Sequence, residues 1–300
     1  MLASAVAAKV RPQIVSPADA ISAVLAQPDA ALDHAQAKLA FDALIDPSGN
    51  GAATMAEIDR LAGTARRMAG PGADAARIYA ALRTSLYVAG EWNEGRPFAY
   101  DHDDPAGQEI GNKLLANYLR SRKGNCVSMP VLFLILAERL GLDAALVAAP
   151  LHLFVRLRID GRAVDVETTS GGHPAREAWF RENFPIPDLA VANGIYLRAL
   201  PRREAIAHLA TTVAEHLAAS GRHDDAARVC TVILRHFPRD VYAMVKLGTA
   251  CGQIAEREFL ARYRTPFLIP SLLRPRYFEL MQKNRALFAK AEALGWEPVQ

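Results

Sequence analysis

Cysteine, aromatic side chains and unbalanced charge are all scarce in this sequence, and each scarcity removes a class of protein. The three cysteines, Cys126, Cys230 and Cys251, stand far apart in 300 residues, with no CxxC pair or Cys/His cluster. Neither a disulfide framework nor a zinc site is signalled, and reducing, cytoplasmic surroundings are expected. Lys and Arg number 35 against 32 Asp and Glu, a net charge of +3. That balance is too even for a chain built to hold a phosphate backbone, so no nucleic-acid partner is expected. Long apolar runs are missing too. The longest, Met129 to Ala137, stops at Glu138-Arg139, short of a membrane span, so no membrane association is expected either. The opening MLASAVAAKVRPQ has no basic residues ahead of its short apolar run and makes a poor leader peptide.

What the chain does have is alanine and helical periodicity. Apolar residues make up 51% and aromatics only 7%, which suits a soluble, mostly helical protein. Three hundred residues exceed what one compact core usually holds. We expect an N-terminal helical segment over 1–37, a central domain over 38–200 and a helical region over 201–300. Ser16-Pro17 reads as a helix cap with proline in the first turn. Helices are predicted over Ala31–Ile45, over Thr54–Met68 with Thr54 and Glu57 in capping-box spacing, over Asp74–Val88 and over Ile110–Leu119. Between them, Asp101-His102-Asp103-Asp104 lacks the spacing of a metal loop and reads as a solvated turn.

The stretch RKGNCVSMP, Arg122 to Pro130, leads into a run that is apolar on every face until Glu138, the mark of a helix buried in the core. Proline is tolerated only in a first turn, so Pro130 puts Cys126 at or near that helix's N-terminus. There the free N–H groups and the helix dipole favour a thiolate, and Arg122 and Lys123 push the same way. A small core residue is the competing reading. Three strands follow, Ala144–Ala149, His152–Ile159 and Arg162–Thr168, the last two joined by an Asp160-Gly161 turn. His152 at the head of a strand is either a structural histidine or the base a cysteine nucleophile needs. Asp165 and Glu167 share one strand face, and either could orient that base. Asn125 and the Cys126 N–H are candidate oxyanion donors. His173 is a turn residue within possible reach of the cleft, and Trp92 and Tyr100 are candidate cleft walls. Cys230 and Cys251 read as core residues.

GNCVSMPVLFLILAERLGL, APLHLFVRL and VETTSGG, within Lys38 to Asn183, resemble the transglutaminase-like domain family of bacteria. The resemblance implies an α+β, helix-rich papain-like core with a small antiparallel sheet, Cys126 as nucleophile and His152 as base. Placing the family's acid-then-glycine-turn pattern on ETTSGG puts the acid at Glu167, with Asp165 in reserve. Acyl transfer or hydrolysis at an amide or peptide bond, on a protein or peptide substrate and without a metal or organic cofactor, is what such a site implies. From Leu209 onward, helix-turn-helix periodicity with Ala226, Pro238 and Leu247-Gly248 resembles a tetratricopeptide repeat, a possible seat for a protein partner. The alternative is a non-catalytic binding scaffold.

Overall fold

The structure is a computed structural model that describes residues 15–298. The leader reading of the opening residues, and part of the expected 1–37 segment, lie outside the described residues.

Short polar caps start the first helices. Ser16 accepts from the Asp19 N–H at 3.2 Å and opens α1, Pro17–Leu25. Asp33 caps α2, His34–Ile45, and Asp74 caps α4, Ala75–Tyr87. The helix expected from Ala31 starts at His34 because residues 29–31 form a separate tighter turn. The helix expected from Thr54 starts a turn earlier. Asn50 caps α3, Gly51–Ala69, while Thr54 donates to the Asn50 carbonyl and Glu57 pairs with Arg60, so the Thr54–Glu57 box does not form. The cap that lies closer to the turn residues wins.

A short parallel pair, β1 (Ala99–Tyr100) with β2 (Lys123–Gly124), brackets α5, Leu115–Ser121. Next comes α6, Ser128–Arg139, buried on every face from Ser128 to Ala137. It ends at Leu140, and Gly141 at φ +81° turns the chain back. The main sheet is antiparallel in the order β3 (Asp143–Ala149), β4 (His152–Ile159), β5 (Arg162–Glu167), β6 (His173–Ala175). Asp160 at φ +50° and Gly161 at φ +76° give the β4–β5 turn the left-handed geometry that matches strand twist. His173, read as a turn residue, pairs with Glu167 and Pro174 with Val166, so both belong to β6. One face of β3 and β4 rests on α6.

Helices α7 (Glu177–Asn183), α8 (Asp188–Ala192), α9 (Arg202–Leu209), α10 (Thr211–Ala219), α11 (His223–His236), α12 (Val241–Ala255) and α13 (Arg274–Ala293) complete the chain. From α10 on, each packs against the next. Helices α12 and α13 meet closely at Gly248, where a Cβ would stand 2.9 Å from the Phe288 ring. The fold is thus α+β and helix-rich. One apolar cluster runs from Ile21 through Phe133 and Val155 to Val229 and Leu280, so the C-terminal helices share their core with the sheet. Position 37/38 falls inside α2, and 200/201 falls just before α9. Among the described residues no helix is long and apolar enough to cross a membrane.

Candidate active site

The turn that carries Cys126 is fixed by its neighbours. At Gly124 an added Cβ would lie 2.5 Å from the Tyr118 ring and 2.8 Å from Ser128 Oγ, so only glycine lets the chain pass. Asn125 and Ser128 then cap each other. Asn125 Oδ1 accepts from the N–H groups of Val127 at 3.0 Å and Ser128 at 3.1 Å, and Ser128 Oγ accepts from the Asn125 N–H at 3.1 Å. The Met129 N–H already bonds to the Asn125 carbonyl, so Cys126 sits in the first turn of the buried helix. Pro130 lies in that same turn, as expected. Among the described residues the Cys126 N–H has no hydrogen-bond partner. Asn125 itself is fully buried, with its oxygen committed to the cap, while its side-chain Nδ2 has no hydrogen-bond partner among the described residues.

The β3–β4 reversal delivers the histidine. Ala149 pairs with His152 across a turn of Pro150 and Leu151, the latter at φ +53°. That left-handed backbone costs a residue with a Cβ about 1–2 kcal/mol. It presents the Leu151 carbonyl to Cys126 Sγ, which donates to it at 3.4 Å. The His152 ring lies beside the same thiol and is buried, stacked on Phe184 with centroids 4.5 Å apart. Its Nε2 donates to Glu167 Oε2 at 2.7 Å, which leaves Nδ1 for the thiol side. Glu167, at the end of β5, is 2% exposed, and its other oxygen accepts from the Thr169 N–H at 2.8 Å and Thr169 Oγ1 at 2.6 Å. Burial disfavours the imidazolium of His152. The neighbouring Cys126 sulfur and the carboxylate of Glu167 outweigh it and push the pKa up to about 9.

Cys126, His152 and Glu167 therefore meet, and Asp165 does not join them. Arg156, directly opposite Asp165 in the sheet, takes both its oxygens, at 2.5 and 2.8 Å. Other sequence candidates also lie elsewhere. Arg122 donates to the Asn93 carbonyl at 2.5 Å and covers the Phe98 ring, and Lys123 pairs with Asp103 at 2.7 Å, so both cations serve the preceding loop. Asp101 and Asp104 are buried and share the Asn112 side-chain amide, so the string read as a solvated turn is half inside. Trp92 donates to the Val88 carbonyl and Tyr100 to the Pro105 carbonyl, and neither lines the cleft. His173 is exposed against Arg83. Cys230 and Cys251 are buried in the helical core. Among the described residues no three His, Cys, Asp or Glu side chains gather as a metal-binding set.

Cys126 and His152 open onto a cavity of about 450 Å³, within the range of small-ligand sites. Apolar side chains such as Leu151, Ile195 and Val241 line it. Helices α10 and α12 also contribute charged and polar groups, Glu215, Tyr242 and Lys246, joined by Lys113 from the loop before α5. Sequence reading missed all four, because nothing local marks them. Lys113 and Glu215 are 102 positions apart and meet only in the fold.

Residues 52–184 match the Transglutaminase-like superfamily. Two UPF0162 proteins of Xylella fastidiosa, from strains 9a5c and Temecula1, are each 28% identical to this chain over 152 residues. That alignment covers 49% of this chain and 54% of each relative. The match therefore spans about half the length of the curated relatives. No solved structure matches the chain.

Proposed function

We propose that this protein is a cysteine-dependent acyl-transfer enzyme acting on an amide or peptide bond. The observation that carries the reading is the His152 ring between two partners, a thiol in the first turn of a buried helix on one side and the buried Glu167 carboxylate at 2.7 Å on the other. The Cys126 proton rests on Nδ1 of His152 as a thiolate–imidazolium pair, and the thiolate sulfur attacks the substrate carbonyl carbon as the carbonyl electron pair moves to oxygen. The unpartnered Cys126 N–H is a donor for that oxyanion. As the intermediate collapses the C–N bond breaks, and the imidazolium returns the proton to the departing amine, leaving a thioester. Water, deprotonated by the neutral imidazole, then releases the acid and regenerates the thiol. An acceptor amine in place of water would make the product a new amide. Glu167 keeps Nε2 protonated throughout and so holds the tautomer the cycle needs.

The repeat-like helices of 201–300 enter this reading as half of the cleft, since α10 and α12 line the cavity that the thiol faces. The test is competitive labelling of the native protein with limiting iodoacetamide, followed by peptide mapping. At pH 6–7 Cys126 takes the label at least about tenfold faster than a free cysteine peptide, and Cys230 and Cys251 stay unlabelled. Labelling of Cys126 no faster than the peptide rejects the enzyme and favours a binding scaffold on the same fold.

A further inference from the structure

The charged groups in the cavity lining other than His152 take no part in the chemistry proposed for the thiol. Their centre is Glu215. Oε2 accepts from Lys113 Nζ at 2.7 Å, and Oε1 accepts from the Tyr242 hydroxyl, with Lys246 Nζ 3.6 Å away. Both carboxylate oxygens are thus engaged within the protein. Its carboxyl is held below the usual range: burial works against the charge, but the neighbouring Lys113 outweighs it.

The open valence is on the cations. Lys246 Nζ hangs over the Tyr242 ring, 4.8 Å from its centroid, beyond hydrogen-bond distance of Glu215, and makes no hydrogen bond among the described residues. Arg239 adds a third positive charge to the lining, and the remaining ionic pair there, His208 with Asp240, is internally compensated. Three cations against one carboxylate leave this part of the lining positive. Most of the remaining lining, including Leu151, Leu153, Ile195 and Val241, is apolar.

We propose that Lys246 and Lys113, held by Glu215 and Tyr242, form a carboxylate-recognition site, so that the substrate attacked by Cys126 has an apolar body ending in a free carboxylate. The proposal rests on the acyl-transfer reading for its consequence, but binding of the carboxylate does not require turnover. An anion meeting an ammonium with free donors makes a charge-assisted hydrogen bond of the stronger kind. A neutral ligand of the same shape leaves that ammonium without one.

The test uses iodoacetyl probes of graded length, N-iodoacetyl-β-alanine and N-iodoacetyl-6-aminohexanoate, each beside its neutral N-methylamide. Saturation kinetics of Cys126 alkylation are followed by intact mass. At one length the carboxylate reacts at least about tenfold more efficiently than its amide, and the gain lies in the half-saturating concentration. Lys246→Gln removes the preference, whereas Lys290→Gln, on the exposed side of α13, keeps it. If every probe labels Cys126 rapidly and charge makes no difference at either length, the carboxylate site is rejected and the enzyme reading stands. If Cys126 is inert to all of them, the acyl-transfer reading fails, and the site is judged by calorimetry on Cys126→Ser. There N-acetyl-6-aminohexanoate binds more tightly than its N-methylamide, and equal binding of the two overturns the proposal.

Discussion

Two histidine–carboxylate pairs line the same cavity. His152 Nε2 bonds Glu167 at 2.7 Å, and His208 Nδ1 bonds Asp240 at 2.8 Å. Both are buried, and in both the imidazole is pushed up: burial opposes the charge, and the neighbouring groups outweigh it. Each even has a cysteine nearby. The difference lies in where that thiol is. Cys126 stands in the first turn of α6, part-exposed to the cavity and beside the second ring nitrogen of its histidine. Cys230 lies inside α11, and burial followed by the charge of Asp240 pushes its thiol up to about 12. Asp240, unlike Glu167, also caps a long helix, accepting from the Ala243 N–H at 3.0 Å. A paired histidine is thus a positioning device that serves either chemistry or packing. The helix terminus and the access of the thiol decide which.

The largest expected effect separates the two pairs directly. His152→Ala lowers the rate of Cys126 alkylation by iodoacetamide about 100-fold at pH 7, the scale of a lost general base. His208→Ala leaves that rate within about twofold, as for a site with no shared partner. Equal effects of the two substitutions would erase the distinction drawn here, and intact-mass kinetics on both variants decides it.

The first pair was legible in the sequence and the second was not, for physical reasons. Cys126 was marked by Gly124 before it and Pro130 after it, residues whose backbone demands fix a helix start. His152 and Glu167 lie at strand ends whose period and turn, Asp160-Gly161, could be read locally. Asp165 shares a strand face with Glu167, and what separates them is Arg156, which the register sets opposite Asp165 as an opposite-charge cross-strand pair. The Thr54–Glu57 box lost to Asn50 because two valid caps competed within one turn of each other. The stacking of Phe184 on His152, and the meeting of Lys113 with Glu215 and of His208 with Asp240, depend on tertiary packing between distant helices and loops. No periodicity encodes that.

A second measurement sharpens what Glu167 does. The folded pKa of His152 is raised to about 9 from an ordinary 6.5. The imidazolium is therefore kept through neutral pH. The stability it contributes is fully present below about 6.5 and is lost as pH rises through about 9. Glu167→Gln removes one of the two groups that raise it, so the midpoint moves to lower pH, and Cys126 alkylation at pH 7 slows by about tenfold. Ring resonances of His152 followed by NMR through the titration give the midpoint in each protein. Identical midpoints would mean that the carboxylate only packs against the ring.

The smallest effect belongs to the second pair. In Asp240→Asn the side chain can still accept from the Ala243 N–H, since asparagine caps as well as aspartate. Only the ionic bond to His208 is weakened, which costs about 1 kcal/mol and lowers the melting temperature by about 2–4 °C. Asp240→Ala removes the cap as well, which adds about 1 kcal/mol. Because Cys230 is closed off in the core and Cys126 has its own histidine, the alkylation rate of Cys126 stays put in both variants. If Asp240→Asn instead slowed that reaction as much as Glu167→Gln does, the two pairs would have to be read as one proton network spanning the cavity, with the C-terminal helices part of its chemistry.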